Sequence, residues 1–575
     1  MLDPPKPGDL PHTKPCPKRL IPTIIDHNAA VYPTKVYATF ARSGSVSDGV
    51  QDFTYSELAN AINRVAWWLD DVLGRGPNSK TFAYIGLKDI RYSILAVAST
   101  KTDRNAFFPS PFVSTHGFDH LLKTAKCTTI VCAGPVSSYP LIEKTQAIRP
   151  DLRVIVVPPM SDWIAREPVP HYPYTKTFEE AEDDTVMIVH TSGTTGMPKV
   201  LRYTNGIMAA FDGQRYMPED DGPMWWRLIA GKRVFCPMAT LHAVGMFASL
   251  IWPVFYDTIA VMGPGDKPLT LEAVDEIHDL GIVNGGIYPP SILEEVCCSP
   301  SSLEKMKSHE FVIFTGTVAS ETVGKTFASF TKVFNKLGST ELGSIPTMLT
   351  PHDHWMCYKF HPYLGHHMEE RKDGKYELVV RRDRSLRDFQ SVFRMYPDLD
   401  EFRTKDLFVP HEEIPGLWHY QGRVDDIIIF SHAEGMDPNG LERVVSRHPL
   451  VNACLIGGNQ KPAPFLLIEL ADPSSLATSD ESARKLLDAI WPAVAEANRQ
   501  CSTYVQLTRP LVAFAAPDRP FHRTLKRSVA RAATLAAYAD AIEALYGARA
   551  PDPLSAPSRG AANAIWSGTA DHGAA

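Results

Sequence analysis

Residues 185–199 read TVMIVHTSGTTGMPK, and the rest of the chain is best understood from this stretch. Residues 185–190 form an apolar run containing β-branched side chains, the composition of a buried strand. The run enters Thr191-Ser192-Gly193-Thr194-Thr195-Gly196-Met197-Pro198-Lys199. Glycines let a backbone turn tightly, so that its N–H groups converge on phosphate oxygens. The Ser and Thr hydroxyls add neutral donors, and Lys199 adds a positive charge. The spacing is not that of a Walker A loop, and no Ser or Thr follows the lysine. An ordinary surface turn rarely combines six Gly/Ser/Thr residues with a closing Pro-Lys.

Moving outward, short apolar runs alternate with helical stretches from about residue 20 to about residue 420. Examples are residues 311–315 (FVIFT), 332–334 (KVF) and 376–381 (YELVVR). Strands alternating with helices predict α/β architecture with parallel sheets. A polar turn at residues 422–426 (GRVDD) then precedes the run IIIF, after which the pattern restarts on a smaller scale with ACLIGG, PFLLIEL and a helix over 482–501. A last helix is expected over 531–546, with Leu535, Tyr538, Ile542 and Leu545 on one face and Gly547 as C-cap. The division expected is a large multi-subdomain α/β unit, 1–422, a small mobile α+β unit, 423–550, and a Pro/Ala/Ser/Gly-rich disordered tail, 551–575.

Composition narrows the class. A chain of 575 residues exceeds one ordinary core, and 44% hydrophobic with 21% charged residues is a globular balance. A net charge of −7 provides no electrostatic footprint for nucleic acid or an anionic membrane. No run reaches the roughly 18 apolar residues of a membrane span. The Pro-rich N-terminus lacks an apolar signal core, so a cytoplasmic setting is expected. Of nine cysteines, Cys297 and Cys298 are adjacent and the others show no metal-ligand spacing, so neither a structural disulfide nor a zinc site is expected.

HTSGTTGMPKV resembles the phosphate-loop signature of the adenylate-forming superfamily, which includes acyl-CoA synthetases, luciferases and peptide-synthetase adenylation domains. Four further blocks follow in that superfamily's order, and the resemblance spans about residues 20–546. It implies ATP and Mg²⁺ as cofactors and an acyl-adenylate as product. In Asn335-Lys336-Leu337-Gly338-Ser339-Thr340-Glu341, it implies Glu341 as the Mg²⁺ carboxylate, Thr340 on the α-phosphate and Asn335, Lys336 and Ser339 along the nucleotide. The aromatic residue usual for stacking on adenine is replaced by Leu337. Asp406 matches the aspartate that grips the ribose hydroxyls, with Tyr420, Gln421, Gly422 and Arg423 completing the AMP site and Asp425 as the hinge. Lys526 falls at the catalytic lysine, although Leu525 and Arg527 replace the usual flanking glycines. The end of the chain, and residues 107–111 and 288–291, resemble fungal peptide-synthetase-like aryl-acid enzymes and carboxylic acid reductases.

His242 stands where amino-acid-activating relatives usually carry an aspartate for the substrate ammonium. The substrate implied is a non-amino, aromatic carboxylic acid, in a pocket including His242, Gly316 and Thr317. The carrier-domain signature of the resembling fungal enzymes does not occur after Tyr546. The acceptor is therefore expected in trans, as CoA, a phosphopantetheine-bearing carrier protein or an amine. Two alternatives stay open: a free acyl-CoA synthetase for aryl or fatty acids, and a non-catalytic nucleotide-binding homologue.

Overall fold

The computed structural model describes residues 18–547 except 44, 75–80, 112, 192–197, 268, 317, 318, 320, 372, 373, 424–427, 433, 437, 477–479, 523–528 and 530. Ser192, Gly193, Thr194, Thr195, Gly196, Thr317, Asp425, Lys526 and the tail 551–575 thus lie outside the described residues.

Two sheets carry the α/β layers. A seven-stranded sheet is parallel from Lys332–Lys336 through Phe311–Thr315, Gly285–Tyr288, Arg233–Phe235 and Ile259–Val261 to Val36–Phe40, with Gln51–Thr54 antiparallel at its edge. A six-stranded sheet runs parallel from Arg153–Val156 to Thr185–Thr191. Its last strand, Lys199–Thr204, pairs antiparallel with Thr185–Thr191, with Thr191 opposite Lys199. The phosphate loop therefore joins two antiparallel strands.

Helices cover these sheets for readable reasons. Tyr55–Leu73 starts on a capping box, Thr54 with Glu57, and stops at Gly74, whose φ of 72° suits a residue without Cβ. It buries Leu58, Ile62, Val65, Ala66 and Leu69, the spacing of one helical face. Each aliphatic side chain of Leu, Ile or Val size stabilises by about 1.5–3 kcal/mol when withdrawn from water.

The third large sheet corrects an expectation. Tyr376–Arg381, anticipated in a parallel layer, sits in a six-stranded antiparallel sheet with His366–Glu370, Glu401–Pro410, Trp418–Arg423, Cys357–Phe360 and Thr347–Met348. The physical reason is connection length on its N-terminal side. A parallel return needs a crossover of a dozen or more residues, whereas only residues 371–375 separate His366–Glu370 from Tyr376–Arg381, the length of a hairpin loop.

Beyond residue 427 the described chain builds its own cores. One gathers Ile428, Phe430, Leu441, Ile456, Ile468, Ile490 and Val494; another gathers Leu455, Phe465, Leu467, Phe521, Tyr538 and Ile542. The strands Val451–Gly457, Phe465–Leu470 and Val512–Phe514 form the sheet between them. The single last helix expected over 531–546 is instead two, Arg531–Ala537 and Ala539–Gly547. Tyr538 breaks it: its hydroxyl donates to the Arg519 carbonyl and accepts the Ala516 N–H at 3.2 Å. Gly547 lies within the second helix among the described residues. The eight described cysteines are free thiols, and no helix among the described residues is long and apolar enough to cross a membrane.

A buried polar group under the seven-stranded sheet makes the fold acid-sensitive. The Tyr288 hydroxyl lies 2.9 Å from His278 Nε2 and 3.2 Å from His309 Nε2. Burial pushes His278 down to about 3, with His309 and Lys305 adding to the effect, and burial pushes His309 down to about 4. Both are neutral in the fold, whereas the unfolded chain protonates them below about pH 6.5. The unfolded state thus binds more protons, and stability is lost as pH falls from about 6.5 towards 4. Replacing His309 by Gln should flatten the acid side of a stability–pH curve by about 1.4 kcal/mol per pH unit. Urea unfolding of both proteins between pH 7 and 5 checks this; an unchanged slope would mean that His309 takes up its proton in the folded chain.

Candidate active site

Several of the described residues singled out from sequence lie just past the carboxyl ends of parallel strands, where open α/β sheets place their ligands, and others lie in the antiparallel sheet. The strand Thr185–Thr191 ends at the phosphate loop, Phe311–Thr315 ends at Gly316, and Lys332–Lys336 leads to residues 337–344. Arg233–Phe235 leads to the loop that carries His242.

His190 and His242 mark one wall. The Ser110 N–H donates to His190 Nε2 at 2.9 Å, which puts the imidazole proton on Nδ1, an atom with no partner of good geometry. Burial first and the His242 ring second push His190 down to about 4. His242 retains solvent access although protein crowds it, as a residue on a cleft wall does, and burial lowers it to about 4 as well. His242 precedes the short helix Ala243–Met246, its N–H donating to the Ala239 carbonyl at 3.0 Å. Gly245 makes that turn possible, because a Cβ there would lie 2.1 Å from the Ala239 oxygen. His432, from beyond residue 427, is also held near 4, by burial and then by His242.

Glu341 sits at the tip of a small hairpin. Gly338 pairs with Ser344 and Ser339 with Gly343, leaving Thr340, Glu341 and Leu342 as the turn. The Leu342 N–H donates to Ser339 Oγ at 3.1 Å, and Gly343 holds a φ of 66° against Phe211. The Tyr203 hydroxyl donates to the Thr340 carbonyl at 2.6 Å, joining the hairpin to the strand that leaves the phosphate loop. Burial raises the Tyr203 and Tyr396 hydroxyls, with the Glu341 carboxylate as the second cause, Tyr396 to about 12. That carboxylate is a hard oxygen donor of the kind Mg²⁺ prefers.

A second group forms around Tyr358, a residue the motif reading did not include. Asn335 is buried, and its amide lies beside the Tyr358 hydroxyl without a hydrogen bond of good geometry on either amide atom. Such an orphaned amide fits a ligand with base-edge donors and acceptors, as adenine has. Burial first, then Tyr420 and Asp406, raise the Tyr358 hydroxyl, so all four side chains are neighbours. Asp406 pairs across the sheet with Arg423, beside Lys405, which adopts a φ of 65°. Gln421 and Gly422 lie on the same strand, Trp418–Arg423. The Lys336 side chain leads elsewhere: its ammonium donates to the Ile345 carbonyl and lies 4.6 Å from the Trp225 ring centre. Burial lowers its pKa well below the usual lysine range. Only the backbone of Lys336 remains for a nucleotide.

Comparison with known proteins agrees with this geometry. The family described as AMP-binding enzyme matches residues 25–360, and the AMP-binding enzyme C-terminal domain matches residues 425–550. An isocyanide synthase-NRPS hybrid of Aspergillus fumigatus is 33% identical over 541 residues, covering 93% of this chain and 34% of that protein. A carboxylic acid reductase of Neurospora crassa is 32% identical over 540 residues, covering 92% of this chain and 51% of the reductase. The chain spans about half or less of the length of these relatives. Among solved structures, the amide bond synthetase of Marinactinospora thermotolerans superposes with a TM-score of 0.66 at 17% identity, over 89% of this chain and 98% of the synthetase. With these family matches covering most of its length, the chain belongs to the AMP-binding enzyme family of the adenylate-forming superfamily.

Proposed function

We propose that the chain activates a non-amino, aromatic carboxylic acid with ATP, forming an acyl-adenylate and releasing pyrophosphate, and that the acyl group then passes to a thiol or amine acceptor. The observation that supports this reading is the buried Asn335 amide, orphaned beside Tyr358 and next to Asp406, on the strand that leads into the Glu341 hairpin.

In this reading a substrate carboxylate oxygen attacks the α-phosphorus of ATP in line, and the bond to the bridging oxygen of pyrophosphate breaks. Asn335 meets adenine, Asp406 accepts the ribose hydroxyls, and Thr191, Lys199 and residues 192–196 hold the phosphates. Thr340 faces the α-phosphate. Glu341 holds Mg²⁺, which when bound offsets phosphate charge. Lys526 spreads positive charge over the pentavalent transition state. No covalent enzyme intermediate is required, so positioning and charge do most of the work. A large unit, 1–422, and a small one, 423–550, then reorient about Asp425 to admit the acceptor.

The substrate class rests on charge. A neutral His242 presents no fixed negative partner for an α-ammonium, which supports an acid without one. The aromatic preference rests on the resemblance to fungal aryl-acid enzymes. Among the relatives' names, carboxylic acid reductase and adenylate-forming reductase are compatible with an acid substrate.

The direct test is ATP–pyrophosphate exchange across benzoic, cinnamic, arylpyruvic, fatty and amino acids. Exchange with one aromatic class is expected; exchange with amino acids alone would overturn the substrate reading, and folded, ATP-binding protein silent with every acid would favour a non-catalytic homologue. Lys526→Ala should retain ATP binding and lose on the order of 10² to 10³ in exchange rate, the scale of one electrostatic donor. Wild-type exchange in that variant would remove Lys526 from the mechanism. Asp425→Pro should slow acyl transfer more than adenylation in single-turnover assays, and equal slowing would reject Asp425 as the hinge.

A further inference from the structure

One face of the antiparallel sheet holds a group of side chains that adenylation does not use. Cys357 and His419 oppose one another across the strands Cys357–Phe360 and Trp418–Arg423. Cys357 Sγ lies 3.4 Å from His419 Nε2 and 3.7 Å from its Nδ1. His354 ends the turn His352–His354 just before the first strand, and His411 follows the strand Glu401–Pro410. His411 Nε2 is 3.1 Å from His354 Nδ1, and the His411 and His419 rings stack with centres 5.4 Å apart. One donor atom from each of His354, Cys357 and His411 lies within 4.8 Å of the other two.

Donor atoms on a tetrahedral metal at roughly 2.0–2.3 Å stand roughly 3.3–3.8 Å from one another. The cluster therefore needs side-chain contraction of about 1 Å, within the reach of rotamer adjustment on a fixed sheet. It contains no carboxylate. One sulfur with two imidazoles is a borderline-soft set that suits zinc and its d-block neighbours and disfavours magnesium or calcium.

Without metal the group is a hydrogen-bonded pair beside a thiol. His411 Nδ1 accepts the N–H groups of Glu413 and Ile414 at 3.1 and 3.2 Å, so its proton sits on Nε2 and points at His354 Nδ1. Metal capture has a definite proton balance. Cys357 loses its thiol proton to solvent, and the His411 proton moves from Nε2 to Nδ1, opening the two backbone contacts. These costs make the site weaker than a preorganised structural zinc centre.

We propose that His354, Cys357 and His411, with His419 stacked beside them and solvent completing the coordination, form a binding site for one divalent d-block ion, zinc by preference, distinct from the proposed magnesium at Glu341. The ion would tie the turn 352–354 and the hairpin loop 411–417 to the strand Trp418–Arg423, which carries Tyr420 and Gln421 and leads to residue 425. No spacing in the sequence announces this, because His354 and His411 are 57 residues apart and only strand pairing unites them.

The test is Co²⁺ titration of the full chain, reduced and freed of any histidine tag. One equivalent should give tetrahedral visible bands and a near-ultraviolet thiolate-to-cobalt band, both abolished by Zn²⁺. Cys357→Ser should remove the near-ultraviolet band, and His354→Asn or His411→Asn should weaken binding about 10- to 100-fold. Cys298→Ser, an exposed thiol elsewhere, should change neither. Zn²⁺ should raise the Tm of the parent chain and not that of Cys357→Ser. Absence of the charge-transfer band in the parent chain, or its survival in Cys357→Ser, would overturn the site. Should Cys357→Ser misfold by circular dichroism, full-strength cobalt binding in folded His354→Asn and His411→Asn would overturn it equally.

Discussion

The hydrogen bond from the Tyr203 hydroxyl to the Thr340 carbonyl joins two parts of the chain that nucleotide chemistry needs together. Tyr203 belongs to the strand that leaves the phosphate loop, and Thr340 to the hairpin that presents Glu341. The ring of Tyr203 is fully buried against Phe211 and Phe247. A buried hydroxyl that lost this acceptor would bear its desolvation cost, about 1–3 kcal/mol, so the two sheets are held in one relative position. The same Phe211 closes on Gly343, which has no Cβ to obstruct it. Aromatic packing and a single polar bond thus set where the carboxylate stands relative to the phosphate loop.

Around that junction, burial controls charge. His190, fully enclosed, is driven to the neutral state, so its ring can donate and accept hydrogen bonds without adding positive charge. Lys336 is drawn into the core under Trp225, which removes a cation that its place in the motif suggests is available. The exposed cation on the described side of the phosphate loop is Lys199, opposite Thr191 in the strand register. In the proposed reaction, polyphosphate charge would fall to Lys199, Mg²⁺ and Lys526.

The antiparallel sheet serves both the nucleotide and the proposed metal. Its strands carry Asp406 and Tyr420 beside Tyr358 and, nearby, Cys357 opposite His419. In an antiparallel pair successive side chains alternate faces, so His419 and Tyr420 point to opposite sides of one strand. Clamping one face stiffens the strand whose other face meets the nucleotide group.

Much of the plan is local and therefore legible in sequence. The apolar run before Thr191, the glycines that follow and the turn chemistry at residues 338–344 act over a few residues, and strands at 311–315, 332–336 and 376–381 form where the pattern predicts them. What the sequence could not decide is which strands pair and which way each side chain faces. Sheet register is set by contacts far apart along the chain, which is why Tyr376–Arg381 is antiparallel, why Tyr358 joins Asn335 and Asp406, and why Lys336 turns into the core. Tyr538 splits the last helix for the same reason, since its hydroxyl partners lie at Arg519 and Ala516. By itself the sequence determined the strand that ends at Thr191 and the family to which its motif blocks belong, because strand propensity and side-chain chemistry are properties of neighbouring residues. The tertiary structure alone decided which histidines form the cleft wall, which tyrosine completes the nucleotide group and which thiol meets three imidazoles, because burial and strand pairing exist only once the chain has folded.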